Sequence, residues 1–373
     1  MADKNQSDHR RVRWMIPTVN PRSASLRYRC LYPMAELTRL GRSVDFWQDG
    51  ELIDGQLTLV FEGWSLFPTV NSAAVATALV EFAEMAAALG ATIIVDNCDN
   101  QFASEAVSAQ WTQGLELLQR LATVSHVFVS CSTELQAVLR QNLRTTVRHT
   151  VIDDPVEQHT RLDVDRLWKR VLSPQRWLAW ASTCRHGLKL LGDRVSGRVP
   201  VVWYGSHGNS FASGGMFDLL AIRPALEAAN AAKPISLTVV SNNKRKFDQN
   251  FVDFKFPVYY VEWNRVTFHA LLRQHSIVVI PSSDNPFTRC KSSNRLTLAL
   301  HHGLAVIADP MPAYLAYQDI VELGNWHANL SKLTQSRKAR LHQIAAARQV
   351  LDERNGIAVI TKRWDALFFP DDQ

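Results

Sequence analysis

Short apolar runs alternate with longer helical patterns along most of this chain. Residues 13–19 (RWMIPTV), 43–47 (SVDFW) and 57–64 (LTLVFEGW) read as strands, and 27–41 has a helical pattern that stops at a glycine. An alanine-rich helix over 72–90 runs into a strand at 91–99 (ATIIVDNCD). A helix at 108–124, a strand at 126–132, a helix at 133–143 and a strand with its loop at 147–157 continue the series. Strands that alternate with helices through short connections predict an open parallel sheet wrapped by helices.

Residues 158–198 interrupt the rhythm. They are polar, rich in Arg and Trp and helical in pattern, and they read as a linker with outlying helices. The alternation then restarts. Strands are expected at 199–206, 235–242, 256–263, 276–282 and 304–309, with helices at 216–232, 265–275 and 292–303. The last 45 residues read as helical. The expected organisation is an α/β chain of two Rossmann-like, doubly wound domains facing a cleft. An N-terminal domain would span 1–160, the linker 161–198, a C-terminal domain 199–345, and a final helical stretch 346–373 would return towards the N-terminal domain. Ligands of such sheets sit beyond the carboxyl ends of the strands.

Length and composition agree with this. A chain of 373 residues suits two domains, and 46% hydrophobic with 20% charged residues is the balance of a folded protein. The net charge of +6 favours anionic partners. No long Lys/Arg tract singles out nucleic acid, and no nucleic-acid partner is expected. The five cysteines are widely spaced and lack a CxxC pair. That argues against a disulfide framework and a zinc site, and for thiols kept reduced in a cytoplasm. The polar N-terminus does not read as a signal peptide, and no apolar run approaches the roughly 20 residues that cross a bilayer. Any membrane contact is expected to be peripheral, at the inner face.

Five stretches could carry chemistry. The loop after the first strand, 20–29, sets small residues before Arg27, where a helix start could take a phosphate. Asp96 and Asp99 end a buried strand; they could act as a general base or cap the next helix. The loop 203–215 holds Gly205, Ser206 and further glycines, but matches neither a dinucleotide fingerprint nor a P-loop. The turn 240–247 carries Asn242 and Lys244, read first as a solvated basic turn. Finally, Lys291, Ser292, Asn294 and Arg295 fall at a predicted helix start. Cations there oppose the helix dipole, unless an anion sits between them and the free N–H groups.

In this order the motifs resemble bacterial glycosyltransferases of the GT-B fold, in the broad group 4-like/group 1 superfamily. The resemblance rests on RYRCLYPMAELTRLGRSVDFW, IIVDNCDNQF, VFVSCSTELQAVL, VVWYGSHGN, the stretch SIVVIPSSDNPFTRCKSSNRLTLALHHGLAVIADPMPAY and ITKRWDALF. It implies a nucleotide-sugar donor, a surface-glycan or lipid-linked acceptor, and no cofactor or metal. The donor diphosphate would meet Lys291, Ser292, Asn294, Arg295, Gly205, Ser206 and Arg27. The nucleoside or sugar would meet Asn242, Lys244, Asn285 and Phe287. Asp96 or Asp99 would serve the acceptor. Two departures stand out: Cys290 and Leu298 replace a glutamate pair common in retaining members, and the 205–215 loop lacks their Arg and Lys. A non-catalytic GT-B binding or scaffold protein is the alternative.

Overall fold

A computed structural model of the chain describes residues 10–103, 108–157, 174–208 and 213–370. The expected linker residues 158–173 and loop residues 209–212 lie outside them. The chain forms two compact units. The first comprises Met1–Glu157, Cys290–Ser292 and Arg354–Gln373; the second comprises Gln158–Arg289 and Ser293–Glu353.

The first unit is built on a six-stranded parallel sheet. Its strands are β1 (Arg11–Met15), β2 (Ser43–Phe46), β3 (Leu57–Glu62), β4 (Thr92–Asn97), β5 (Val127–Ser130) and β6 (Arg148–Val151), in the order β2-β1-β3-β4-β5-β6. The chain leaves β1 towards β2 on one side, while β3 to β6 extend on the other. The strand order therefore reverses between β1 and β3, and a crevice is left at their carboxyl ends. Apolar strand residues meet helical ones in a core of Val12, Trp14, Val60, Ile94, Val129, Ile360, Trp364 and Phe368 among others. The C-terminal helix Ile357–Phe368 closes this core: Phe368 stacks on Trp364 and meets Trp14 edge-on. The helix after β1 is not uniform. Its segment Arg27–Leu31 has π-helical hydrogen bonding before the α-helix Tyr32–Arg39.

The second unit repeats the plan with β7 (Val199–Tyr204), β8 (Ile235–Ser241), β9 (Val258–Glu262), β10 (Ile277–Ile280), β11 (Ala305–Ala308) and the short β12 (Glu322–Leu323). The order is β12-β11-β10-β7-β8-β9, all parallel, so the reversal falls between β7 and β10. β7, β8, β10 and β11 are buried along their whole length, as strands covered on both faces must be.

Three local expectations are corrected. The basic stretch after β8 is a helix, Lys244–Asn250, because Asn243 accepts from the Lys246 N–H and caps it. The helix expected over 216–232 is broken into a 3-10 turn Gly215–Phe217 and helices Asp218–Ala221 and Arg223–Ala232, the last with proline in its first turn. The helix expected from residue 292 is Asn294–His301 with Ser293 at its N-cap position. Lys291 therefore lies outside its first turn.

Candidate functional site

In the first unit, polar groups gather at the carboxyl ends of β1, β3 and β4. Glu62 ends β3 and is the register partner of Asp96 on β4. The two carboxylates have different surroundings. Asp96 is buried and takes a forked contact from Arg29, with Nε to Oδ2 at 3.0 Å and Nη2 to Oδ1 at 2.6 Å. Arg29 also donates through Nη1 to Asp154 and to the Ile152 carbonyl. Burial pushes the Asp96 carboxyl up, and Arg29 pulls it back. Glu62 is partly accessible and takes a hydrogen bond from Ser25. Burial, with Asp96 and Asp99 nearby, pushes its carboxyl up to about 7, although Ser25 and Arg29 lean the other way. A small cavity lined by Trp14, Ser25, Arg29, Glu62 and Asp96 opens beside it, with room for about one water-sized group.

Asp99 lies one loop further on. It accepts from Trp64 Nε1 at 2.7 Å, and Lys291 Nζ donates to its other oxygen. Burial would lower the Lys291 ammonium, but Asp99 more than offsets this and the pKa is raised. Ser292 Oγ donates to Asp154 at 2.5 Å, and Ser132 Oγ to the Cys290 carbonyl at 2.8 Å. Lys291 and Ser292 are thus placed in the first unit by specific polar contacts. Arg27 is buried in the same unit. Its Nε donates to Glu157 at 2.7 Å, and its Nη1 reaches the carbonyls of Pro21, Arg22 and Ser23. Arg27 thereby ties down the loop that was expected to receive a phosphate.

In the second unit the site lies at the reversal between β7 and β10. Arg295 is the second residue of the helix Asn294–His301, whose N-cap Ser293 makes no side-chain cap bond. The guanidinium lies 5.4 Å from the Trp203 ring and 5.9 Å from the Tyr204 ring. Its Nε and Nη2 are buried and have no hydrogen-bond partner among the described residues. Two buried guanidinium nitrogens without partners carry a desolvation cost that an anion beside them would relieve. Gly205 makes the approach feasible: a Cβ there would fall 3.1 Å from the Trp203 ring and 3.4 Å from Arg295 Nη2. Asn294 opens the same helix turn.

The loop after β7 is shaped by its own backbone. Gly215 has φ +87°, and a Cβ there would lie 2.5 Å from the Gly208 nitrogen and 2.9 Å from the Ser206 carbonyl. Asp218 fastens the loop, accepting from the Gly215 N–H at 2.9 Å and from Ser283 Oγ. Burial pushes the Asp218 carboxyl up; Ser283, Gly215 and the Arg295 charge oppose this. Asn242 accepts from both the backbone N–H and ring Nδ1 side of His207, at 3.2 and 2.8 Å. Asn285 accepts from the N–H groups of Phe287 and Thr288 and donates to the Ser213 carbonyl, and Phe287 is buried. Lys244 points to solvent and pairs with Asp248 one turn on.

The structure therefore brings Gly205, Ser206, Asn294 and Arg295 together, and separately Asp96, Asp99, Lys291 and Ser292. Sequence reasoning did not single out Glu62 or Asp218, and it read the acidic pair of residues 151–157, which includes Asp154, as a hinge or turn. Glu62 carries the same signal that marked Asp96, a carboxylate ending an apolar strand, here just before Gly63. Asp218 lies inside a stretch read as one helix, which hid its capping role. Among the described residues, no group of three His, Cys, Asp or Glu side chains is placed to hold a metal ion.

Solved structures share this fold at low sequence identity. TarM of S. aureus, in complex with fondaparinux, alpha-GlcNAc-glycerol and UDP, matches at TM-score 0.54 and 10% identity, over 90% of this chain and 58% of its own. This chain thus spans less than two thirds of that protein. HepE of Anabaena, in complex with UDP and glucose, matches at TM-score 0.59 and 14% identity, over 96% of this chain and 99% of its own. The alpha,alpha-trehalose-phosphate synthase (UDP-forming) of Burkholderia vietnamiensis matches at TM-score 0.54 and 11% identity, over 91% and 75%. No protein-family model matches the chain, and no curated protein matches it in sequence. The fold is the GT-B architecture: two parallel six-stranded α/β sheets.

Proposed function

We propose that this protein is a glycosyltransferase that moves a sugar from a nucleotide diphosphate donor to a hydroxyl of a surface-glycan or lipid-linked acceptor. The observation that carries the reading is Arg295, a guanidinium with two unpartnered buried nitrogens at the strand reversal of the second sheet. A diphosphate supplies the missing partner. It would also take the helix N–H groups after Ser293 and the backbone that Gly205 leaves open. Three proteins of the same fold are described with UDP or as UDP-forming, which makes UDP the first nucleotide to test.

The chemistry follows from where charge develops. The bond between the sugar's anomeric carbon and the phosphate oxygen breaks, and the diphosphate leaves with added negative charge. Arg295 and the helix N-terminus are pre-oriented for that charge. The acceptor oxygen forms the new bond to the anomeric carbon and loses its proton. Glu62 is the group we assign to take it: partly accessible, hydrogen-bonded by Ser25, and raised into the range where a carboxylate accepts a proton near neutral pH. Asp96 is less suited, because Arg29 occupies it from two nitrogens. Asn242, Asn285 and Phe287 shape the rim of the donor loop, and no metal is needed in this scheme. Five free cysteines fit a cytoplasmic setting.

The test is donor turnover. The full chain is incubated with UDP-, GDP-, TDP- and CMP-sugars, and nucleotide release is followed with and without glycan acceptors. Acceptor-stimulated release from one donor supports transfer. Tight nucleotide binding with no release under any condition favours the non-catalytic binding protein.

A further inference from the structure

The helix Pro174–Val195 in the second unit has a buried face and an exposed apolar one. One is buried through Thr183, His186, Leu190 and Asp193. The other is exposed. Trp177, Leu178, Trp180, Leu188, Leu191 and Val195 are all exposed, from 41% at Trp180 to 83% at Val195. They make up six of the seventeen large exposed apolar side chains among the described residues, concentrated on one element.

The spacing turns these residues into a face. Trp177, Ala181, Cys184, Leu188, Leu191 and Val195 recur every three or four positions and are all exposed. At 100° per residue they fall within roughly 40° of one line along the helix, opposite the buried residues. The cations Arg176, Arg185, Lys189 and Arg194 flank that line at about 80 to 120° on both sides. The helix has one acid, Asp193, which is buried and accepts from Tyr259 at 3.3 Å. An apolar stripe with basic borders and no exposed acid complements a surface that is apolar inside and anionic outside.

We infer that this helix docks the protein on an anionic lipid surface, lying in the interface with Trp177, Leu188, Leu191 and Val195 among the headgroups and upper acyl chains. The two tryptophans suit headgroup depth, since each ring has an apolar body and a polar N–H. The cations add attraction to anionic lipid. A second copy of the helix is the weaker partner: Arg185 and Arg194 border the stripe, so two copies would set like charges along their seam. No helix among the described residues is long and apolar enough to cross a membrane, so the contact is one of lying on the surface. This inference stands apart from the sugar chemistry.

The test is co-sedimentation with vesicles at low salt, comparing phosphatidylcholine alone with phosphatidylcholine containing phosphatidylglycerol. The wild-type chain is expected to partition at least tenfold better onto the anionic vesicles, with a blue shift of tryptophan emission and release at high salt. Leu188→Ser with Leu191→Ser should lose most of the binding while circular dichroism and thermal midpoint stay unchanged. Arg185→Gln should weaken it roughly fivefold. Equal binding of the double variant, or no partitioning of wild type, overturns the inference. So does a wild-type dimer in sedimentation velocity that the double variant abolishes without any vesicle binding.

Discussion

Glu62 and Asp96 are register partners on adjacent parallel strands, but the Arg29 fork grips Asp96 alone. The same strand-end position thus yields two chemistries: a fixed ion pair, and a carboxyl raised to about 7 beside a small cavity.

The Glu62 assignment predicts a pH profile. Activity requires the carboxylate, so kcat/KM should rise with pH through an apparent pKa near 7. Glu62→Gln should lose about 10²–10⁴ in rate and lose that limb of the profile. Stability should move oppositely. The folded pKa lies above the ordinary glutamate value, so the wild type loses stability as pH rises from about 4.5 through 7. Glu62→Gln should therefore be at least as stable as wild type at pH 8. A variant that is both inactive and unstable there would speak for a structural role.

Arg29→Met should be a stability mutation before anything else. It leaves Asp96 and Asp154 buried without their cation, a loss of about 3–5 kcal/mol. Urea unfolding of the variant measures it; a change below 1 kcal/mol would mean the pair is not buried as described.

Acid should weaken the second unit. His275 Nδ1 donates to the Leu271 carbonyl, so its Nε2 accepts from Thr238, whose oxygen in turn accepts from His186 Nε2. Burial lowers His275 to about 3 and His186, with Lys189 adding to the effect, to about 4. The unfolded chain binds these protons near pH 6.5 and the folded one does not. Stability is complete above that value and falls as pH drops towards 4. Chemical unfolding at pH 7 and pH 5 should show the loss, and His186→Gln should reduce the slope.

Gly215→Ala should impair nucleotide binding without unfolding the core. Its φ of +87° costs a side chain about 1–2 kcal/mol, and the new Cβ would collide with Gly208. The loop that carries Gly205 and Ser206 must then shift. Unchanged nucleotide affinity in a folded variant would remove that loop from the site.

Much of this architecture was legible in the sequence, because buried parallel strands such as IIVDN and IVVI announce themselves as apolar runs between helical periods. The position of Arg295 was legible too, as a cation at a helix start. The fate of Lys291 was not. Its pairing with Asp99 spans 192 positions, and local spacing carries no information about such a partner. The pairing of Arg27 was hidden for the same reason, since Glu157 lies 130 positions away. Glu62 was overlooked because its strand was read for apolar content, and only the tertiary structure sets it beside Asp96.

The central claim is that Arg295 receives a nucleotide diphosphate, and isothermal titration of the full chain with UDP tests it directly. Wild type should bind. Arg295→Ala should weaken binding by about 10- to 100-fold, as loss of a charge-assisted contact of about 1.5–3 kcal/mol requires. Glu62→Gln should bind UDP like wild type. Absence of binding by wild type, or equal affinity in Arg295→Ala, would contradict the account.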